Sequence, residues 1–294
     1  MQKKTSRRNA LKNILLSGSA VIAAPGLSLA ACNQTEKNLN LKGNINHSVC
    51  RWTYAHLSVE ELCFAVKKIG FNAIDLVGPA DWPTLKKHGV FSSMCNGAEI
   101  SLTEGWNDKQ YHPTLIKKYT DHIQLAADAG YKNIICFSGN RKGMDDNTGL
   151  NNSSEGLKQI MASAEKKGIM IQMELLNSKV DHKDYMCDHS AWGVELCKKI
   201  NSENFKLLYD IYHMQIDEGD VIRTIKDNYK YFGHYHTGGV PGRHEINETQ
   251  ELYYPAIMKA ILETGHKGYV AQEFIPAAED KIASLNEAIT ICDV

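Results

Sequence analysis

The stretch Tyr231-Phe-Gly-His-Tyr-His-Thr-Gly-Gly-Val-Pro-Gly-Arg-His-Glu245 decides how this chain is read. Its first half has the character of a buried strand, Tyr231–His236, and Gly238, Gly239, Pro241 and Gly242 then forbid regular pairing. His234, His236, Arg243, His244 and Glu245 crowd the transition from strand to loop. Packing alone does not call for so many polar groups there. In a barrel of alternating strands and helices, such a strand end is where functional groups collect.

Working outward, short apolar runs alternate with helical segments. The strand candidates are Asn46–Cys50, Ala73–Val77, Phe91–Asn96, Asn133–Phe137, Ile169–Leu175, Phe205–Asp210, Tyr231–His236 and Gly268–Phe274. The helix candidates are Ser58–Ile69, Pro113–Ala129, Ser153–Lys167, Ser190–Ile200, Asp220–Asn228, Glu251–Thr264 and Glu279–Ile289. Ser58-Val-Glu-Glu61 is an N-terminal helix signature. Gly70, Gly130, Gly168 and Gly265 repeat a helix–Gly–strand phrase. Eight such units in about 260 residues is the size of an α/β (β/α)8 TIM barrel. A doubly wound open sheet would show a Gly-rich phosphate loop after its first strand, and Cys50-Arg51-Trp52-Thr53-Tyr54 stands there instead.

The late strands end alike. The fifth offers Glu174, the sixth Asp210 with His213 three residues on, the seventh His234 and His236, and the eighth Glu273. An acid inside an apolar strand is costly unless it is paired or bound to a cation. Converging carboxylates would repel by about 4 kcal/mol per pair at 4 Å, with an effective dielectric near 20, and a divalent cation removes that penalty. Carboxylates plus one imidazole suit Mn²⁺ or Mg²⁺, with Co²⁺ and Zn²⁺ as further candidates. A metal held with open positions can chelate an α-hydroxycarbonyl compound and stabilise its enediolate, while Glu174 and Glu273 exchange the proton. His213 and Arg243 are substrate-binding candidates, and Glu245 either reaches substrate or braces its loop. Trp52, Trp82 and Trp106 follow the first three strands as candidate pocket walls or as core.

Four segments carry a resemblance: E-L-L-N around Glu174, D-I-Y-H-M-Q-I from Asp210, G-H-Y-H with V-P-G-R-H-E to Glu245, and G-Y-V-A-Q-E-F-I-P to Pro276. They resemble the hydroxypyruvate isomerase group of the xylose isomerase-like TIM-barrel superfamily, the sugar phosphate isomerases and epimerases, over nearly all of residues 45–294. The resemblance implies a metal held by Glu174, Asp210, His236 and Glu273, with the two glutamates as the catalytic acid/base pair. It also shows two departures. Hydroxypyruvate isomerases usually carry Gln where His236 stands, whereas ketose 3-epimerases carry His. Their G-D-R-G loop after the third strand is replaced here by Asn96-Gly-Ala-Glu-Ile-Ser-Leu-Thr-Glu-Gly-Trp-Asn107. Isomerisation is therefore the first expectation. Ketose 3-epimerisation, or epimerisation or lyase chemistry on an oxidised sugar, is the alternative. A non-enzymatic sugar- or metal-binding lipoprotein is a second alternative.

The first residues carry address signals. Ser6-Arg7-Arg8-Asn9-Ala10-Leu11-Lys12 is a twin-arginine pattern, followed by an apolar run too short to span a membrane. Leu29-Ala30-Ala31-Cys32 resembles a lipobox. The expected organisation is a cleaved signal over 1–31, a polar tether over 32–44 and the barrel over 45–294, with Cys32 lipidated and the protein periplasmic and membrane-anchored. The seven later cysteines form no C-x-x-C pair and lie mostly in apolar runs, where they behave as small hydrophobes. A formal net charge of -1 gives no electrostatic case for nucleic acid. It argues, with the missing basic groove, against an endonuclease IV-like phosphodiesterase. The expected partner is a small sugar or keto acid, with membrane contact only through the lipid, and self-association into a homo-oligomer stays open.

Overall fold

The apolar runs become strands in the computed structural model, which describes residues 40–294. The strands are β1 (Asn46–Val49), β2 (Ala73–Val77), β3 (Phe91–Cys95), β4 (Asn133–Cys136), β5 (Met170–Glu174), β6 (Phe205–Asp210), β7 (Phe232–Thr237) and β8 (Tyr269–Gln272). All pair in parallel in the order β1-β8-β7-β6-β5-β4-β3-β2. Cys50, just past β1, bridges Asp75 of β2 and brings the two ends of the sheet together. This nearly closed ring is a TIM barrel. The twin-arginine leader, Cys32 and most of the 32–44 tether lie outside the described residues.

Around the sheet run α1 (Val59–Ile69), α2 (Trp82–His88), α3 (His112–Ala129), α4 (Asp146–Lys167), α5 (Ser190–Ile200), α6 (Ile211–Asp217), α7 (Val221–Asn228), α8 (Tyr254–Glu263) and α9 (Lys281–Cys292). The Ser58 signature forms a full capping box: Glu61 N–H donates to Ser58 Oγ at 3.2 Å, and Ser58 N–H donates to Glu61 Oε2 at 2.7 Å. Gly70, Gly130 and Gly168 end α1, α3 and α4 at positive φ, where a side chain would be strained.

Four helices depart from the sequence expectation. α4 begins at Asp146 rather than Ser153, because Asp145 caps it by accepting Thr148 N–H at 3.0 Å. Its early turns bury Gly149, Ser153 and Gly156, so no apolar period marks them. α2 and α6 are each seven residues long and too short to show a period. Glu251 lies before α8, which starts at Tyr254 with Pro255 in its first turn. The seven cysteines from Cys50 onward are all buried and free.

Candidate active site

β5, β6 and β7 carry Glu174, Asp210 and His236 to their C-terminal ends, and Glu273 follows β8 directly. One ligand-capable atom from each lies within 4.8 Å of the others, and all four residues are buried. His236 sits at the centre, its Nδ1 3.0 Å from Glu174 Oε1, 2.9 Å from Glu273 Oε2 and 4.0 Å from Asp210 Oδ2. Asp210 divides its labour between fold and site. Oδ1 accepts His213 N–H at 3.1 Å and caps α6, which leaves Oδ2 buried without a hydrogen bond.

Arg243 closes the group from the loop after β7. That loop doubles back through reciprocal backbone bonds: Gly239 N–H donates to His244 O and Arg243 N–H to Gly239 O, both at 2.8 Å. A Cβ on Gly239 would stand 2.2 Å from Glu245 O, so the close approach requires glycine. The Arg243 guanidinium lies 5.2 and 5.3 Å from the ring centroids of Trp52 and Tyr212. Its Nη2 is 2.5 Å from Glu273 Oε2 and 3.5 Å from Asp210 Oδ2. Trp52 Nε1–H donates to the other Glu273 oxygen at 2.8 Å.

The electrostatics are uneven. Burial, reinforced by the charge of Glu273, raises the carboxyl groups of Glu174 and Asp210, the latter well above its ordinary value. Burial would raise Glu273 as well, but Arg243 and His236 outweigh it and hold that carboxylate well below the usual range. Three buried carboxyl groups thus meet around one guanidinium and the His236 ring, and Asp210 Oδ2 accepts no hydrogen bond among the described residues. The excess negative charge and the unused oxygen fit a divalent cation among Glu174, Asp210, His236 and Glu273.

His213 is fully buried, and its Nδ1 receives Asn177 Nδ2–H at 2.6 Å. The amide cannot present its oxygen instead, because Oδ1 already accepts Val180 and Asp181 N–H at 3.0 and 2.9 Å. Nε2 of His213 therefore carries the proton; it points within 3.7 Å of Asp210 Oδ2 and has no hydrogen bond. Glu245 is not brought to this group. Its Oε1 accepts Ala277 N–H, Ala278 N–H and Ser284 Oγ–H, which ties two loops together, and His244 Nδ1 likewise braces Ile275 O. Of the three tryptophans, Trp106 and Trp82 are core, while Trp52 touches the Glu273 carboxylate.

The sequence reading passed over Asp75 and Asn177. Asp75 of β2 is fully buried, with Oδ1 3.0 Å from His236 Nε2 and Oδ2 2.9 Å from His234 Nε2. Its signal was the one used for the other acids, a carboxylate inside an apolar strand.

The fold and this ligand set place the chain in a class that comparison establishes: it belongs to the xylose isomerase-like TIM barrel family, whose model matches residues 64–289. Among individual relatives, a 2-oxo-tetronate isomerase of Cupriavidus necator is 32% identical over 42% of this chain and 47% of that protein. The chain therefore spans about half the length of that relative. A D-psicose 3-epimerase of Ruminiclostridium cellulolyticum is 29% identical over 71% of this chain and 75% of that protein. Among solved structures, a family 2 AP endonuclease of Brucella melitensis superposes with a TM-score of 0.70, covering 82% of this chain and 97% of its own, at 23% identity. That likeness shows the fold alone.

Proposed function

We propose that this protein is a metal-dependent isomerase of an α-hydroxycarbonyl compound, of the hydroxypyruvate isomerase type, interconverting aldose and ketose forms through an enediolate. The observation that carries this reading is the meeting of Glu174 and Glu273 on one imidazole nitrogen, beside an Asp210 oxygen that accepts no hydrogen bond. Glu174, Asp210, His236 and Glu273 would hold a divalent cation, Mn²⁺ or Mg²⁺ by its oxygen-rich set, which when bound supplies Lewis-acid polarisation of a carbonyl. Glu174 and Glu273 move the proton, one carboxylate taking it from carbon and the other returning it. Trp52 and Arg243 each donate to Glu273, so that carboxylate is oriented before substrate arrives. His213 donates from Nε2 to a substrate oxygen, with its tautomer set by Asn177.

A second reading, ketose 3-epimerisation, is favoured by one feature: His236, not glutamine, stands on β7. It shares the enolising step and differs in where the proton returns. Arg7-Arg8 and Cys32 add that the barrel works outside the cytoplasm on a lipid anchor, which points to a sugar or sugar acid found there.

Deuterium uptake from heavy water tests the chemistry. The protein is loaded with Mn²⁺, offered a panel of ketoses, aldoses, keto acids and oxidised glycosides, and compared with a metal-stripped control. Metal-dependent exchange into one compound is the expected result. Metal binding without exchange on any of them would favour a binding protein over an isomerase.

A further inference from the structure

We propose that Asp75 is the positioning residue for His236: it accepts the Nε2–H of the ring and so leaves Nδ1 as the bare nitrogen that faces Glu174, Asp210 and Glu273. The inference rests on the metal reading above and adds to it a residue from the opposite side of the barrel.

The geometry is specific. Asp75 Oδ1 lies 3.0 Å from His236 Nε2, with both side chains fully buried. The carboxylate is held from β3, from β7 and from the residue that follows β1. Ser93 Oγ of β3 donates to Oδ2 at 2.6 Å and is itself 2.6 Å from Ser48 Oγ of β1. His234 Nε2 of β7 is 2.9 Å from the same Oδ2, and Cys50 Sγ–H points at Oδ1 from 3.8 Å. A group held this way cannot swing to meet a different partner.

The chemistry of imidazole does the rest. A carboxylate only accepts, and a neutral ring has one N–H and one lone pair. Here carboxylates face both ring nitrogens, Asp75 at Nε2 and Glu174 and Glu273 at Nδ1. With a cation bound at one nitrogen the ring keeps a single proton, which sits on the other. A cation belongs where three carboxylates converge, so the proton stays on the Asp75 side. The carboxylate behind the imidazole then fixes ring orientation and tautomer and makes Nδ1 a better donor.

Two measurements on the full chain test this. The first is the Mn²⁺ dissociation constant by chelator competition, in wild type and in Asp75→Asn, with the unfolding temperature of both metal-stripped proteins as a check on folding. Loss of the carboxylate is expected to weaken binding by about 10- to 100-fold. The second is the ¹⁵N spectrum of histidine-labelled wild type loaded with Zn²⁺, in which His236 should keep a proton on Nε2 and show a metal-shifted Nδ1. This needs no variant, and it decides the matter if Asp75→Asn does not fold. Wild type that binds Mn²⁺ while a folded Asp75→Asn binds within twofold of it overturns the role of Asp75 and leaves the metal reading standing. A proton on Nδ1 with metal at Nε2 does the same. Wild type that binds neither ion overturns both.

Discussion

At the scale of single residues, the site is built from acids whose placement costs free energy. Glu174, Asp210 and Glu273 are buried together, and Arg243 and His236 offset them. Neutralising Glu174, whose carboxyl is already raised by burial, should leave the fold intact, whereas neutralising Glu273 takes a charged partner from the buried Arg243 and should lower the unfolding temperature. Glu174→Gln and Glu273→Gln are each expected to lower turnover by about 10²- to 10⁴-fold, as general acid/base loss does, with the unfolding temperature unchanged for Glu174→Gln alone. Steady-state kinetics beside thermal unfolding checks this, and near-normal turnover in either variant would remove the acid/base assignment. These residues were legible because a carboxylate in an apolar strand needs a reason. Asp75, in Ala73-Ile-Asp-Leu-Val77, met the same criterion, but it sits far from the histidine-rich stretch in sequence and no neighbouring motif drew attention to it. Glu245 shows the converse. Its position beside Arg243 suggested substrate, while its carboxylate is occupied by backbone and serine donors.

At the scale of elements, capping and strand ends were readable, and small-residue packing was not. The Ser58 box and the glycine C-caps rely on local chemistry, so a few residues suffice to announce them. The first turns of α4 rely on contact with distant side chains. A Cβ on Gly156 would stand 2.7 Å from His112 Nε2 and 2.8 Å from Trp106 Cε3, a requirement no periodicity expresses. The loops after β3 and β4 meet the same way. Gly139, at φ +89°, lies so close that a Cβ would be 2.6 Å from both Gly105 N and Asn107 Oδ1. Gly139→Ala combines backbone strain with overpacking and is expected to cost about 3 kcal/mol. Equilibrium urea unfolding measures it, and a loss under about 1 kcal/mol would mean the two loops separate freely.

At the scale of the whole molecule, ring closure does what no segment can. It sets Asp75 against His236, 161 residues away, and lets Trp52 from the β1 loop donate to Glu273, 221 residues away. If Cys32 carries the anchor, Cys32→Ser should move the protein from the membrane pellet to the soluble periplasmic fraction. Fractionation followed by immunoblotting reads the shift, and an unchanged distribution would argue for a plain cleavage site.

The sequence by itself determined the barrel, through eight apolar runs punctuated by helices and glycines, and it singled out Glu174, Asp210, Glu273 and the pair His234 and His236 as candidate site residues, polar outliers within those runs. Both are local in origin: periodicity is set by backbone geometry, and a buried charge stands out against its immediate neighbours. The tertiary structure alone decided which polar groups hold the ligands in place. Asn177 against His213 and Trp52 against Glu273 join the ends of neighbouring strands, and Asp75 against His236 joins two strands that are not neighbours in the sheet. Their energy depends on distance in space, which separation along the chain does not encode.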